Sequence, residues 1–393
     1  MSKIINIIKT VLSETDFFLL FMCIATSGYG ILMVYSATLA EKDPSMVISR
    51  DARTMIIAVA AGIVGAIIIS FIDYNFISKM FPVIGAVCVL LLVLTLFIGV
   101  GPAERPDAKT WLKLGSTGLF FQPSELMKVG FIITLSMHIE LIGDRLTQFR
   151  HILFLGIHEA IPIGLVVLSG DMGSALVFLL IFIAIAFCAG VQLRYFAVGA
   201  AAVCAAAPAV WYFLFDSTQK ERFLGLIYPE LYSDIMYQQE QGLKALKNGG
   251  LTGCGLFNGI LTQQPNAIPE AENDMIFTAI GEELGFVGCV LAITMLTAIS
   301  LKMIHVGRRS KFGATSLMCY GTAAMIIGQM IINIGMCLKI LPVIGITLPF
   351  FSAGGSSNLC IYIAVGLAMS IYRFDKDREV TNVRIAPIFS LQN

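Results

Sequence analysis

Residues 269–285, PEAENDMIFTAIGEELG, concentrate the chain's most unusual chemistry. A run of carboxylates leads from a polar loop straight into an apolar stretch, which then carries Glu282 and Glu283 about two turns further in. Acidic groups in hydrocarbon are costly and persist mainly where they serve a pathway or a site. Asp274 stands at the entrance to that stretch. It either caps the helix, a job Ser or Asn would do at a cost of about 1 kcal/mol or less, or acts as an acid or base. Glu282 and Glu283 are adjacent, about 100° apart on a helix, so they cannot both face one partner. One is expected to close a polar contact between helices while the other lines a cavity. A second charged group, Glu125 and Lys128, is three residues apart and shares a helix face. Pro123 before it fits a first helical position, where its missing N–H costs nothing. That pair either neutralises itself or contributes to a site within the membrane.

These residues must be positioned by a chain that is 57% hydrophobic and 13% charged, with mean hydropathy +0.84. A bilayer-spanning helix needs roughly 20 apolar residues, and the 393 residues repeat that unit many times. The sequence reads as an all-α polytopic membrane protein, one integral unit over residues 1–393. A formal net charge of zero gives no sign of a nucleic-acid partner. Met1–Lys9 is short and basic, but the apolar run after it is long enough to span and lacks a small-residue cleavage site, so no cleavable signal peptide is expected. The nine cysteines are scattered, with only Cys254 in a long loop. Without CxxC or a His/Cys cluster, neither a disulfide framework nor a zinc site is expected.

About ten spans are expected, at 17–38, 54–72, 79–100, 124–142, 152–168, 173–190, 192–215, 275–302, 315–338 and 354–372. Both termini then lie on one side, and the positive-inside rule makes that side cytoplasmic. It holds Lys3, Lys9, Lys79, Arg145, Arg150, Arg194, Lys302, Arg308, Arg309, Lys311, Arg373, Lys376, Arg378 and Arg384, against Lys42, Arg50, Arg53, Arg105, Lys109, Lys113, Lys220, Arg222, Lys244, Lys247 and Lys339 on the other side, a modest bias in which four of the latter lie in the one long loop. The tight cluster HVGRRSK, residues 305–311, decides the matter. Spans 4, 6, 8 and 10 then all run from outside to inside. Each opens with a polar or glycine-bearing motif: FQPSELMK, SGDMGSA, ENDMIF and FFSAGGSSN. Helix N-termini carry unpaired N–H groups and a partial positive charge, so several aimed at one region form an anion site. Any one of them alone is equally an ordinary cap.

Two outer segments are long. In the first, between spans 3 and 4, Trp111 lies beside Lys113 and either stacks on a sugar face or anchors at the interface. The second is an extracytoplasmic loop over about 216–274, between spans 7 and 8. Its stretch ERFLGLIYPELYSDIMYQQEQGLKALKNGG reads as short helical pieces lying at the interface. NGGLTGCGLFNG follows, glycine-rich enough to let backbone approach a ligand closely, although the P-loop pattern is absent.

Taken together, the motifs QPSExxK, DxGSA, the Arg222-containing loop, YQQxQ, GGLxGxGLxNG, PExxNDxIFxxIGEELG and LPFFSAGGSS resemble those of the SEDS family, the shape, elongation, division and sporulation proteins of RodA and FtsW type. The resemblance runs from about Trp111 to Arg373 with the motif order kept. Gly170, Lys109–Thr110 and Ala353 depart from it, and short termini with the LFNG stretch lean toward the RodA branch. The resemblance implies a peptidoglycan glycosyltransferase that polymerises lipid II on the outer face of the bacterial cytoplasmic membrane and releases undecaprenyl pyrophosphate. It places the family's loop aspartate on Asp274, the expected general base, and its PSExxK glutamate and lysine on Glu125 and Lys128. Trp111, Lys113, Ser124, Arg222, Gln241, Glu282, Ser356 and Ser357 complete the expected substrate-binding set, with Arg222, Lys113 and Lys128 as partners for pyrophosphate. No metal-ligand cluster is visible; a divalent cation, Mg2+ or Mn2+, would bridge Asp274 or the pyrophosphate. The expected partners are a class B penicillin-binding protein transpeptidase and other elongation or division complex proteins. Two other readings suit polar groups at membrane depth: a lipid II flippase, and a secondary transporter, the latter without a visible internal repeat.

Overall fold

The computed structural model describes residues 16–40, 46–101, 108–115, 119–310 and 313–380. Lys3, Lys9, Lys42, Arg105, Lys311 and Arg384, which enter the orientation argument, lie outside them. All ten expected spans are helices. In chain order the elements are α1 (Phe17–Ala37), α2 (Arg50–Ser70), the short α3 (Tyr74–Lys79), α4 (Phe81–Ile98), strands β1 (Leu112–Leu114) and β2 (Leu119–Phe121), α5 (Pro123–Ile142), α6 (Phe149–Leu168), α7 (Met172–Cys188), α8 (Leu193–Ala209), α9 (Ser217–Ile227), α10 (Ser233–Gly249), α11 (Ile276–Arg309), α12 (Gly313–Cys337) and α13 (Gly355–Val380). Among the described residues nine helices are long and apolar enough to cross a membrane, and α7 is a shorter apolar one. The two strands form a small antiparallel hairpin, with Leu112 opposite Phe121.

Burial sorts these apolar helices into an inner and an outer set. Most of α5, α12 and α13 is buried, and these three carry the polar side chains that a protein interior can partner. Helices α4 and α6 present most of their surface outward, as lipid-facing spans must. Helix α8 has no buried residue and stands clear of the bundle. Pro208 interrupts its hydrogen bonding, and the chain relaxes into a π-turn over Val210–Leu214.

The expected span 275–302 is not one continuous helix. Helix α11 breaks at Gly285 (φ 66°, ψ −164°), a conformation open to glycine. The four backbone groups freed there are taken by the glycine-rich loop. Phe286 and Val287 N–H donate to Gly250 and Leu251 C=O, while Cys254 and Gly255 N–H donate to Glu282 and Glu283 C=O. This exchange needs contact at backbone distance: a Cβ on Gly253 would lie 2.1 Å from Glu283 O, and one on Gly285 would lie 2.4 Å from Gly253 N. The backbone that the glycine motif approaches is therefore that of α11, not a ligand. The stretch from residue 286 to Arg309 rises about 35 Å at ~1.5 Å per residue, enough to cross a ~30 Å hydrocarbon core by itself. Glu282 and Glu283 belong to the short helix before the break and are enclosed by protein rather than lipid.

Both carboxylates anchor the inserted loop. Glu282 accepts from Leu261 N–H, Thr262 N–H and Oγ1, and Asn248 Nδ2, at 2.7–3.1 Å. Glu283 accepts from Ser36 Oγ of α1, from Gln263 Nε2 and from Phe257 N–H. The expectation that Glu282 touches substrate does not fit: it is fully buried and its oxygens are occupied by the protein's own donors. A stranded buried donor costs about 1–3 kcal/mol, so Glu282→Ala should destabilise by about 3 kcal/mol or more. Glu282→Gln, which keeps one acceptor oxygen, should lose less. Thermal melting in detergent checks this, and an Ala variant as stable as the wild type would overturn the anchoring role.

Candidate functional site

Asp274 lies between the inserted loop and α11, but it does not cap that helix. Met275 occupies the cap position and no side chain bonds there. Asp274 is only 7% exposed. Its Oδ1 accepts from Gln238 Nε2 at 3.3 Å, and the same nitrogen donates to Pro269 O at 2.9 Å. Arg222 approaches from α9, a helix started by a capping box: Asp216 Oδ1 accepts from Gln219 N–H at 2.7 Å, and Gln219 Oε1 accepts from Asp216 N–H at 3.2 Å. Arg222 Nη1 donates to Val343 O at 2.9 Å. Burial, and then the Glu270 carboxylate, push the Asp274 pKa up; the nearby Arg222 charge draws it down, Glu272 raises it, and the result is about 7. A carboxyl balanced there can both take and return a proton at neutral pH.

A second polar group joins the starts of α5, α7 and α13. Asp171 caps α7 by accepting from Ser174 N–H at 2.9 Å. Its other oxygen accepts from Gln122 Nε2 at 3.0 Å and Ser124 Oγ at 2.9 Å. Gln122 N–H donates to Ser356 Oγ at 3.0 Å, and Ser357 Oγ accepts from Thr347 Oγ1 at 3.1 Å. Trp111 Nε1 reaches Gln122 Oε1 at 3.4 Å, so this tryptophan is tied to the α5 start rather than being a plain interfacial anchor. Below them Lys128 Nζ and Glu125 Oε1 are 2.7 Å apart. Lys128 is completely buried, which corrects its expected place as a pyrophosphate contact: its charge is spent on Glu125.

The two groups are stitched together ahead of α13. Ala353 N–H donates to Glu272 O at 2.9 Å, and Ser352 Oγ donates to Asn273 O at 2.7 Å. The four helix starts expected to converge do converge, although at α7 the positive end of the helix already holds Asp171. Lys113 is exposed on β1, and Gln241 is half-buried one turn beyond Gln238 on α10; neither hydrogen-bonds to Asp274. Of the YQQEQ motif, Gln238 does so. The site residue that sequence reasoning missed altogether is Asn333 of α12, whose Nδ2 donates to Asp274 O at 2.8 Å. The signal available was a polar amide, one of two with Gln329, in an apolar span. Among the described residues no three His, Cys, Asp or Glu side chains come together to hold a metal ion, so the residues present do not by themselves form a ligand set for the expected cation.

The chain matches the FtsW/RodA/SpoVE family model, described as a cell cycle protein, over residues 17–377. It is 32% identical over 368 residues to the probable peptidoglycan glycosyltransferase FtsW of Trichlorobacter lovleyi, covering 92% of this chain and 93% of that one. It is 28% identical over 363 residues to the peptidoglycan glycosyltransferase MrdB of Escherichia coli K12, covering 91% and 93%. Among solved structures it is similar to a chain from a peptidoglycan synthase complex that coordinates polymerization and crosslinking, with a TM-score of 0.75, 26% identity and coverage of 92% and 98%. The rod shape determining protein RodA of Thermus thermophilus shares the fold, with a TM-score of 0.67 at 23% identity over 91% and 97% of the two chains.

Two predictions follow from the geometry. Lys128→Met strands the buried Glu125 carboxylate, and breaking a buried pair from one side costs about 3–5 kcal/mol. Adding Glu125→Gln should recover most of the loss in melting temperature if the pair only neutralises itself. Asp274 has a folded-state pKa raised from 3.8 to about 7, so the folded chain binds this proton more tightly than the unfolded one. The stability contribution of the group therefore falls as pH rises from about 4 to about 7. Asp274→Asn removes that penalty. It should melt higher than the wild type, by more at pH 8 than at pH 5, in paired scans in one detergent.

Proposed function

The chain belongs to the FtsW/RodA/SpoVE family of cell cycle proteins, and we propose that it is a peptidoglycan glycosyltransferase that polymerises lipid II. The reading is supported by relatives named for that activity, and the observation that carries it is the buried Asp274 carboxyl beside Arg222, balanced near neutral pH. In the proposed reaction the 4-hydroxyl of an acceptor disaccharide attacks the anomeric carbon of the donor. Asp274 takes the hydroxyl proton as the new C–O bond forms. The bond from the anomeric carbon to the pyrophosphate oxygen breaks, and undecaprenyl pyrophosphate leaves with the electron pair. Arg222 lies close enough to stabilise that charge as it develops. The Gln122–Ser124–Asp171–Ser356 group holds three helix starts in register around the donor.

The polyprenyl chain of such a substrate stays in the bilayer. Helix α8, unburied along its length, runs through a π-turn into α9 and so leads from the lipid to Arg222. In this reading the Asp274 end of the bundle faces the outside of the bacterial cytoplasmic membrane, and both termini are cytoplasmic. A class B penicillin-binding protein transpeptidase is the partner expected to cross-link the product, within the elongation or division machinery. Similarity to a synthase complex that coordinates polymerization and crosslinking supports that pairing.

The test is to incubate the purified protein with lipid II in detergent, with and without a class B transpeptidase. Detergent abolishes compartments, so a flippase or transporter yields no product there. The wild type should build glycan strands, and Asp274→Asn should lose 10²-fold or more of the rate, about the contribution of a general base. Below pH 7 the wild-type rate should fall about tenfold per unit as Asp274 protonates. No strands under any of these conditions would reject the glycosyltransferase reading. Full activity of Asp274→Asn would reject the base.

A further inference from the structure

The geometry points to Asn333 as a positioning residue that fixes Asp274 by tying it to the connection between α12 and α13, on which Arg222 is also fixed. The inference rests on the proposed role of Asp274 as base. Asn333 is fully buried in α12. Its amide has two protons, and each has a carbonyl: Asp274 O and Ile346 O, both at 2.8 Å. One turn further along α12, Cys337 Sγ also reaches Asp274 O, at 3.7 Å. The peptide carbonyl of Asp274 is thus held from the core, and with it the direction in which the side chain leaves the backbone.

Ile346 belongs to the irregular connection from Leu341 to Leu348, and that connection receives two further anchors. Val343 O accepts from Arg222 Nη1 at 2.9 Å, and Leu341 O accepts from Gln239 Nε2 at 2.8 Å. Gln239 is buried and also donates to Met336 O at 2.8 Å. Its neighbour Gln238 points the other way and donates to Asp274 Oδ1 and Pro269 O. Consecutive glutamines of α10 therefore hold the carboxylate and the connection separately. Asp274 and Arg222 come from elements far apart in sequence, yet both are referenced to the same few carbonyls. Residues 341–348 act as a common strut that sets the spacing of base and cation. That spacing matters because a displacement of about 1 Å in a reacting group can cost roughly 10²-fold in rate.

Side chains without the two donors should release the Asp274 segment while leaving the substrate contacts in place. Asn333→Leu is expected to lower kcat for lipid II polymerisation about 10²-fold, with KM within about threefold of wild type. Its acid limb should move below the wild-type position near pH 7, because a loosened Asp274 gains water and its pKa falls. The other titrating and charged groups that face Asp274 are Glu270 and Glu272 of its own segment, Arg222 of α9 and Cys337 of α12, and all are unchanged in this variant. A readout independent of turnover is modification of Asp274 by a water-soluble carbodiimide with an amine, followed by mass spectrometry. Labelling should be several-fold faster in Asn333→Leu. Gln239→Met, which frees the strut and drops the bond to Met336 O but leaves Asn333 and both its bonds in place, should move the limb and the labelling in the same direction, and it carries the test if Asn333→Leu fails to fold. Unchanged labelling and an acid limb still at the wild-type pH in these variants, whatever happens to kcat, would reduce Asn333 to a structural residue and overturn the inference. If the wild type makes no glycan while labelling still accelerates, the proposed reaction fails and the positioning contact stands.

Discussion

At Gly285 a membrane helix is broken, and the backbone groups freed there are exchanged with the loop from Gly250 to Gly255. In hydrocarbon each unsatisfied amide or carbonyl would cost several kcal/mol, so a break of this kind is tolerated only where protein encloses it. The loop supplies that enclosure, and glycine at 253 and 285 is what lets two backbones come close enough. Glu282 and Glu283, immediately before the break, then hold the rest of the loop through Thr262, Gln263 and Phe257. The same exchange ties the loop that follows α10 onto α11, and from α10 Gln238 reaches Asp274. Without the exchange the loop and α10 lose their register on α11, and Asp274 keeps only the anchors that α12 and the start of α13 give its backbone.

The spans were legible in the sequence because length and hydropathy alone decide them, and all ten appear as helices, the eighth broken at Gly285. The convergence of four helix starts was legible too, from the alternation of direction along the chain. The break was not. A glycine within a helical pattern is commonly tolerated, and GEELGF carries no proline to mark an interruption. The glycine-rich loop told of close backbone approach without telling whose backbone. Gln238 and Gln241 share a helix face three residues apart, so helical phase could not choose between them before the position of Asp274 was known. Asn333 lies in an apolar run whose surroundings come from loops more than ten residues away, and its partners are set by tertiary contact alone.

Environment, rather than residue type, sorts the acidic groups at this end of the molecule. Asp171 is occupied by the Ser174 amide, Gln122 and Ser124, and Glu125 by Lys128. Glu282 and Glu283 are each surrounded by donors from three residues. These four carboxylates are tied into the structure. Asp274 has one long side-chain bond, from Gln238, a bond from its own amide, two like charges in its own segment and little water.

That difference decides which of them can act as a base. A carboxylate whose oxygens are already occupied by the protein's own donors is not free to receive a sugar hydroxyl. One left short of partners in a buried place keeps a higher proton affinity, at a cost to stability. The cost is tolerable only if the group stays where the reaction needs it, since a desolvated carboxylate is drawn outward toward water. The restraint therefore has to act on the backbone, because donors placed on the carboxylate itself would lower its affinity again. Asn333 meets that requirement: it bonds the Asp274 carbonyl and leaves the carboxyl oxygens alone.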